Sequence, residues 1–312
     1  SSDWSSDVCS SDLPVLGRRF KMATNALNND FLLNIQSIYP SLTKAEKKVA
    51  DYTLQNSKAV RFLSITDLAE ACHVSLTSVF RFCKVLKLQG YQEFKVQLAL
   101  SIQEEGQGEE IELLPAAVTK ADSVPTAAKK LLQSHINALS ETHALVDEAA
   151  LSRAAHYINH SDQVRFFGVG GSMLTAMEGM YKFLHIMPNV YCLSDIHMQT
   201  MGASTLNQHD TAIFISHSGA SKEIVQMAQK AHEGGAKTIA ITKYAKSPLT
   251  EYMDVVLLCG GYEPPLQEGS FPTKTAQMFV LDLLFTEVYR KQFDYSKEIN
   301  KRVTTSILDK DY

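Results

Sequence analysis

Two short loops carry the residues best suited to bind a ligand. One reads Gly168-Val169-Gly170-Gly171-Ser172 and the other Ser216-His217-Ser218-Gly219-Ala220-Ser221. Each follows a run of β-type residues and precedes a helical stretch. Glycine permits a tight turn and a close approach of the backbone to a ligand. Backbone N–H groups at a helix start favour an anion, and serine hydroxyls add donors without a fixed charge. This chemistry holds a phosphomonoester. The candidate ligand-binding residues are Gly170, Gly171 and Ser172 in the first loop, and Ser216, His217, Ser218, Gly219 and Ser221 in the second. The first loop fails as a dinucleotide fingerprint, because the third glycine is missing after Gly168-x-Gly170, and no Walker lysine follows.

A second kind of chemistry lies nearer the N-terminus. Ile65 to Phe82 has the layout of a helix-turn-helix. Small Ala69 sits where the two helices would cross, and Val74 and Val79 would fill the angle between them. Ser75 is placed to cap the second helix by accepting from a backbone N–H near Ser78, which also aims the helix N-terminus at a phosphate. Polar Thr77 and Ser78 alternate with apolar Val79 and Phe82, as a recognition helix requires. Arg81 suits a guanine edge and Lys84 a phosphate, so Ser75, Thr77, Ser78, Arg81 and Lys84 are the candidate DNA-binding residues. His73 stands at a turn position that often prefers glycine. An ordinary helical hairpin has a similar pattern, but the local charge favours DNA. Residues 31–103 carry nine Lys and Arg against five Asp and Glu, whereas residues 104–312 carry 18 against 25. A basic module joined to an acidic one suits a nucleic-acid reader attached to something else.

The elements that must position these residues can be read from periodicity. From Phe31 to about Gln103 the apolar spacing is helical and no strand is convincing. Pro40 stops a first helix, and Thr43 with Glu46 forms a capping box for the next. Residues 104–125 turn acidic and glycine-containing and read as a linker. Residues 126–160 return to helix. From Val164 onward short β-rich runs alternate with helices: Val164–Val169, Val190–Leu193, Thr211–Ser216, Thr238–Thr242 and Val255–Cys259. Helices are expected at Met173–Ile186 and Lys222–Glu233, with Thr275–Tyr289 as a closing helix. The expectation is an all-α helix-turn-helix domain over residues 28–103, followed over 126–312 by an α/β domain with a five-stranded parallel sheet flanked by helices. In such sheets ligands gather at the carboxyl ends of the strands, where both loops fall.

The chain has 312 residues and 45% apolar composition, enough for two cored domains. Its five cysteines are scattered with no C-x-x-C pair, so neither a disulfide framework nor a metal site is expected, and a reducing cytoplasm fits. No run of about 18 apolar residues exists, which excludes a membrane-spanning helix. Residues 1–27 begin with repetitive Ser and Asp, lack the apolar stretch of a signal peptide, and read as a disordered leader. That leader need not be native to the protein, and Met22 offers an alternative start.

Together these motifs resemble a known combination. The Ser216 to Ser221 loop after a strand, preceded by the Gly168 to Ser172 loop, resembles the sugar isomerase (SIS) domain. The helical module is similar to the helix-turn-helix of RpiR-type transcriptional regulators. The similarity lies in Ser64-Ile-Thr-Asp-Leu-Ala, in Val79-Phe-Arg-Phe-Cys-Lys-Val-Leu, and in Gly90-Tyr-x-x-Phe. Gly235-Ala-Lys-Thr-Ile-Ala-Ile-Thr and Ser247-Pro-Leu also match the family's later segment. The resemblance implies that Ser216, Ser218 and Ser221 hold a phosphate and that Ser172 holds a sugar hydroxyl or the phosphate. The family often carries Asn or Gln near His217, Arg where Lys274 stands, and Gly near Leu88.

The resemblance implies a DNA-binding regulator of carbohydrate genes controlled by a phosphorylated sugar, with no cofactor and no catalytic residue. Its partner would be a pseudo-palindromic double-stranded operator. A lone helix-turn-helix reads DNA weakly, so a homodimer or homotetramer is expected. The competing reading is a sugar-phosphate aldose–ketose isomerase. That needs a base to move a proton between carbons, and Glu178, Glu223, His217 and Glu268 are the candidates, none in a distinctive motif. A plain scaffold would leave the serine loops unexplained.

Overall fold

The computed structural model describes residues 31–105, 118–261, 263 and 270–308. The leader at 1–27, residues 106–117 of the expected linker, and Glu268 lie outside the described residues.

The N-terminal part is all helix. Its first element, α1 (Phe31–Ile38), runs into a 3-10 turn at Tyr39–Ser41, where Pro40 stops it. Next comes α2 (Lys44–Gln55), which starts with the expected capping box: Glu46 Oε2 accepts from Thr43 N at 2.8 Å, and Thr43 Oγ1 from Glu46 N at 3.4 Å. A one-turn α3 (Ser57–Val60) leads to α4 (Ile65–Ala71), which opens with a second reciprocal box between Ser64 and Asp67. Two more helices follow, α5 (Leu76–Val85) and α6 (Tyr91–Glu105). Their inward faces close one core in which Ile35, Val49, Leu68, Val79, Phe82 and Phe94 are inaccessible to solvent. Burying each such side chain stabilises by about 1.5–3 kcal/mol.

Two helices, α7 (Val124–Ala144) and α8 (Glu148–Asn159), lead into the sheet domain. Its strands are β1 (Gln163–Gly168), β2 (Val190–Cys192), β3 (Asp210–Ile215), β4 (Lys237–Thr242) and β5 (Val255–Leu258). All neighbours are parallel, in the order β2-β1-β3-β4-β5. Between them lie α9 (Gly171–Phe183), α10 (Ile196–Ser204) and α11 (Lys222–Glu233), and α12 (Phe271–Lys291) and α13 (Phe293–Leu308) end the described chain. The period-2 geometry of a strand sorts the core into two layers. Phe166, Ile213, Ile215, Ile239 and Ile241 join the cluster containing α8, α9 and α12, whereas Phe167, Ala212, Phe214 and Ala240 join α11 and the buried end of α10. With both faces covered, β3 is buried along its whole length.

All five strands agree with the expectation to within a residue or two. Three helical readings need correction. The first is α9, which starts at Gly171 rather than Met173, because Gly170 adopts the left-handed φ of 57° and turns the chain straight into the helix. The second is α12, which begins at Phe271 with Pro272 in its first turn, where proline is tolerated. The third is that α12 does not close the chain, since α13 follows it. Helix α10 was also unforeseen. Its apolar residues Ile196, Met198 and Met201 face outward while Gln199, Gly202 and Ala203 are buried, so no apolar stripe announced it.

Candidate functional site

The strand order changes direction between β1 and β3: the chain adds β2 on one side of β1, then crosses to place β3 on the other. Such a switch point opens a crevice beyond the carboxyl ends of the two strands. Gly168 and Ile215, the last residues of β1 and β3, are register partners, so the two Gly/Ser loops leave the sheet side by side. The topology thus brings the Gly170-Gly171-Ser172 loop and the Ser216–Ser221 loop to one edge.

Each loop is held by local bonds. Gln199, fully buried on α10, accepts from Gly168 N at 3.2 Å and donates to Gly168 O at 3.1 Å, which fixes the exit of β1. A side chain on Gly168 would collide with the Ser172 carbonyl at 2.7 Å, so the turn requires glycine. In the second loop Ser216 Oγ accepts from Gly219 N at 3.1 Å and Ser218 Oγ from Ala220 N at 3.3 Å. Gly219 has φ +60° and a Cβ there would lie 2.8 Å from Ser247 Cβ. Ser221 is the N-cap residue of α11, and its hydroxyl makes no cap bond. Oriented hydroxyls and a helix N-terminus in one short turn make a cradle for a tetrahedral anion.

His217 has a different environment from the serines. It is largely buried, with Nε2 3.7 Å from Glu263 Oε2 and its ring 6.3 Å from that of Tyr244. Burial first, then the ammonium groups of Lys243 and Lys95, push its pKa down to about 3. The imidazole is therefore neutral at physiological pH, and its approach to Glu263 is a polar contact rather than an ion pair. Nδ1 is buried without a hydrogen-bond partner among the described residues.

A cavity of about 400 Å³ opens beside His217. Lys243, Tyr244 and Glu263 line it from the sheet domain, and Arg61, Phe62 and Lys95 from the helical one. Lys243 Nζ donates to Gly261 O at 2.5 Å. None of these residues except His217 was singled out in the sequence. Lys243 follows β4 directly, so the rule that ligands sit beyond strand ends could have found it. Arg61 and Lys95 carry no such signal, because only domain packing brings them there.

Of the isomerase candidates, Glu178 and Glu223 are exposed on α9 and α11. On the DNA side, Ser75 accepts from Ser78 N at 3.2 Å and caps α5 as expected. Ser75, Thr77, Arg81 and Lys84 are exposed, Ser78 is half-buried, and Val79 and Phe82 are buried. Thr77, Arg81 and Lys84 are spaced four and three residues apart, so they share one helical face. His73 takes the left-handed φ of 52° in the turn, the conformation that glycine would adopt without strain. Lys87, next to Leu88, also has a positive φ of 63°.

A helix-turn-helix joined to an α/β domain whose paired Gly/Ser loops meet at its switch point defines a class: a helix-turn-helix regulator with a separate α/β domain. The comparisons agree. Residues 29–105 match the model of the helix-turn-helix domain of the rpiR family, and residues 157–287 match the SIS domain. An uncharacterised HTH-type transcriptional regulator of Caldanaerobacter subterraneus is 35% identical over 85% of this chain and 92% of its own. The regulator HexR of Pseudomonas aeruginosa is 32% identical over 91% and 97%. The structure of Vibrio vulnificus NanR complexed with ManNAc-6P superposes with a TM-score of 0.76 at 25% identity, over 89% of this chain and 98% of that one. The chain belongs to the RpiR family of HTH-type transcriptional regulators with a SIS domain. No described helix is long and apolar enough to cross a membrane.

Proposed function

We propose that this chain controls transcription of carbohydrate-metabolism genes in the cytoplasm, with a phosphorylated sugar as effector. The phosphate would sit on Ser216, Ser218 and Ser221, with Gly170, Gly171 and Ser172 across the crevice and Gly219 shaping the turn. Ser75, Thr77, Ser78, Arg81 and Lys84 would meet a pseudo-palindromic operator, read by a homodimer or homotetramer. One observation carries the reading: the serine loop lies directly beneath the DNA-reading domain, with Ala220 packed against the helical core. That NanR was solved with a phosphorylated amino sugar supports the ligand class.

The three isomerase candidates among the described residues are poorly suited to act as a base. A general base works best with a pKa near the operating pH, whereas His217 is held at about 3, and Glu178 and Glu223 face solvent.

The test is an operator titration at fixed salt, because salt itself shifts DNA affinity strongly. Saturating sugar phosphate should move operator affinity roughly 5- to 150-fold, a coupling of about 1–3 kcal/mol. Operator DNA must then move sugar-phosphate affinity by the same factor. Superimposable curves for every sugar phosphate that binds would defeat the sensor reading, and rapid aldose–ketose conversion of the tightest one would restore the isomerase.

A further inference from the structure

The cavity beside His217 belongs to both domains. Arg61 follows α3 and Lys95 lies on α6, yet both line the same space as Lys243 and Glu263. Among the described residues, three cationic side chains therefore surround one carboxylate, an excess of two positive charges around a neutral imidazole. Collecting like charges in a half-buried space is unfavourable unless an anion joins them. Burial pulls the pKa of Lys95 below the ordinary lysine value; Glu263 opposes that shift and Lys243 adds to it. Two buried polar atoms of cavity-lining residues, Arg61 Nε and His217 Nδ1, have no hydrogen-bond partner among the described residues. Arg61 instead stacks its guanidinium on the half-exposed Phe62 ring, 4.5 Å from its centre.

The domains also touch directly near this site. Ala220 packs against the helical core, and an exposed Lys246–Glu70 pair lies 3.2 Å apart. An exposed pair of this kind holds a domain in place only weakly. The charge-rich cavity is lined from both domains, so its occupancy bears on how the helical domain sits.

We propose that Arg61 and Lys95 are effector-binding residues contributed by the DNA-binding domain. In this reading an anionic or strongly hydrogen-bonding part of the bound sugar phosphate bridges them to Lys243 and His217 and fixes the helical domain over the serine loop. The proposal rests on the assignment of the serine loop as a phosphosugar site and extends that site across the domain boundary. It makes the coupling direct. The ligand binds the closed arrangement better because two of its partners exist only there, and differential affinity for two arrangements is what a population shift needs.

The experiment uses the full chain and calorimetry with hexose and N-acetylhexosamine 6-phosphates, starting with N-acetylmannosamine 6-phosphate. Arg61→Gln and Lys95→Gln should each weaken binding of the tightest compound roughly 10- to 100-fold, the scale of a lost charge-assisted hydrogen bond. Arg61→Lys should recover part of the loss. Hydrogen exchange supplies a readout that simple destabilisation would not imitate: the compound should slow amide exchange across residues 57–63 in the wild-type chain and leave it unchanged in Arg61→Gln. The control is the double variant Ser218→Ala, Ser221→Ala. If that variant loses binding while Arg61→Gln and Lys95→Gln bind as wild type, the serine-loop site stands and the cross-domain proposal falls. If the serine variant binds normally and the two cation variants do not, the cross-domain pocket stands and the serine-loop assignment falls. A wild-type chain that binds none of these compounds overturns both.

Discussion

Residue types divide the molecule's two binding tasks between neutral and charged groups. In the proposed reading the serine loop would use hydroxyls and backbone N–H groups to hold a phosphate without bringing a fixed charge to a buried turn. The DNA face would use Arg81 and Lys84, which can stay solvated until a duplex arrives. The two differ in setting. Arg81 is exposed at the middle of α5. Lys84 donates to Gln89 O at 2.7 Å and lies over the Phe80 ring at 5.3 Å, contacts it must leave to reach a phosphate. Replacing Arg81 by Ala should cost about 1–3 kcal/mol of operator affinity and relax the preference for operator over scrambled DNA. Lys84→Ala should weaken both sequences alike and lower the salt slope by about 1. Anisotropy titrations against both duplexes at several salt concentrations separate the two effects. Unaltered operator binding by the Arg81 variant would remove α5 from the interface.

At the scale of elements, short-range sequence chemistry was the reliable guide. Both capping boxes, the Ser75 cap and all five strands form where side-chain type and period place them. The serine loop depends on one further backbone requirement. Gly219 holds φ +60° with Ser247 packed against it, so Gly219→Ala should introduce about 1–3 kcal/mol of backbone strain in addition to the steric clash. The loop must then shift away from Ser247, and the hydroxyls of Ser216 and Ser218 move with it. Thermal unfolding should show a lowered Tm, and calorimetry should show weakened sugar-phosphate binding at a temperature where the variant is folded. Unchanged binding by a folded variant would mean that the loop's conformation does not set the site. Helices α10 and α13 were harder to read. The outward apolar residues of α10 hide its helical period, and α13 lies beyond an element that looked terminal.

The whole molecule raises the question of copies. One helix-turn-helix presents a short polar face, too little for tight operator binding alone. The sheet domain meanwhile exposes Leu174, Met177 and Tyr181 on α9 and Met198 and Met201 on α10, near the β2 edge. Exposed apolar side chains can serve as association surfaces. A two-fold oligomer should read half-sites about 10 bp apart, or a multiple of that spacing. Footprinting should reveal two related protected segments, and analytical ultracentrifugation should give a dimer or a tetramer. A single protected half-site together with a monomeric mass would refute this arrangement.

The sequence by itself determined the local elements, the order of the two modules and the two Gly/Ser loops. Each of these depends on residues close together in the chain: a cap and its third neighbour, a period of two or 3.6, a glycine followed by serines. What only the tertiary structure decided is the company those loops keep. The sheet order puts β1 beside β3 and so sets the two cradles side by side. Domain packing brings Arg61 and Lys95 to His217, more than 120 residues away in sequence. Charge and burial at that boundary depend on the three-dimensional arrangement of long-separated segments, and no local pattern encodes them.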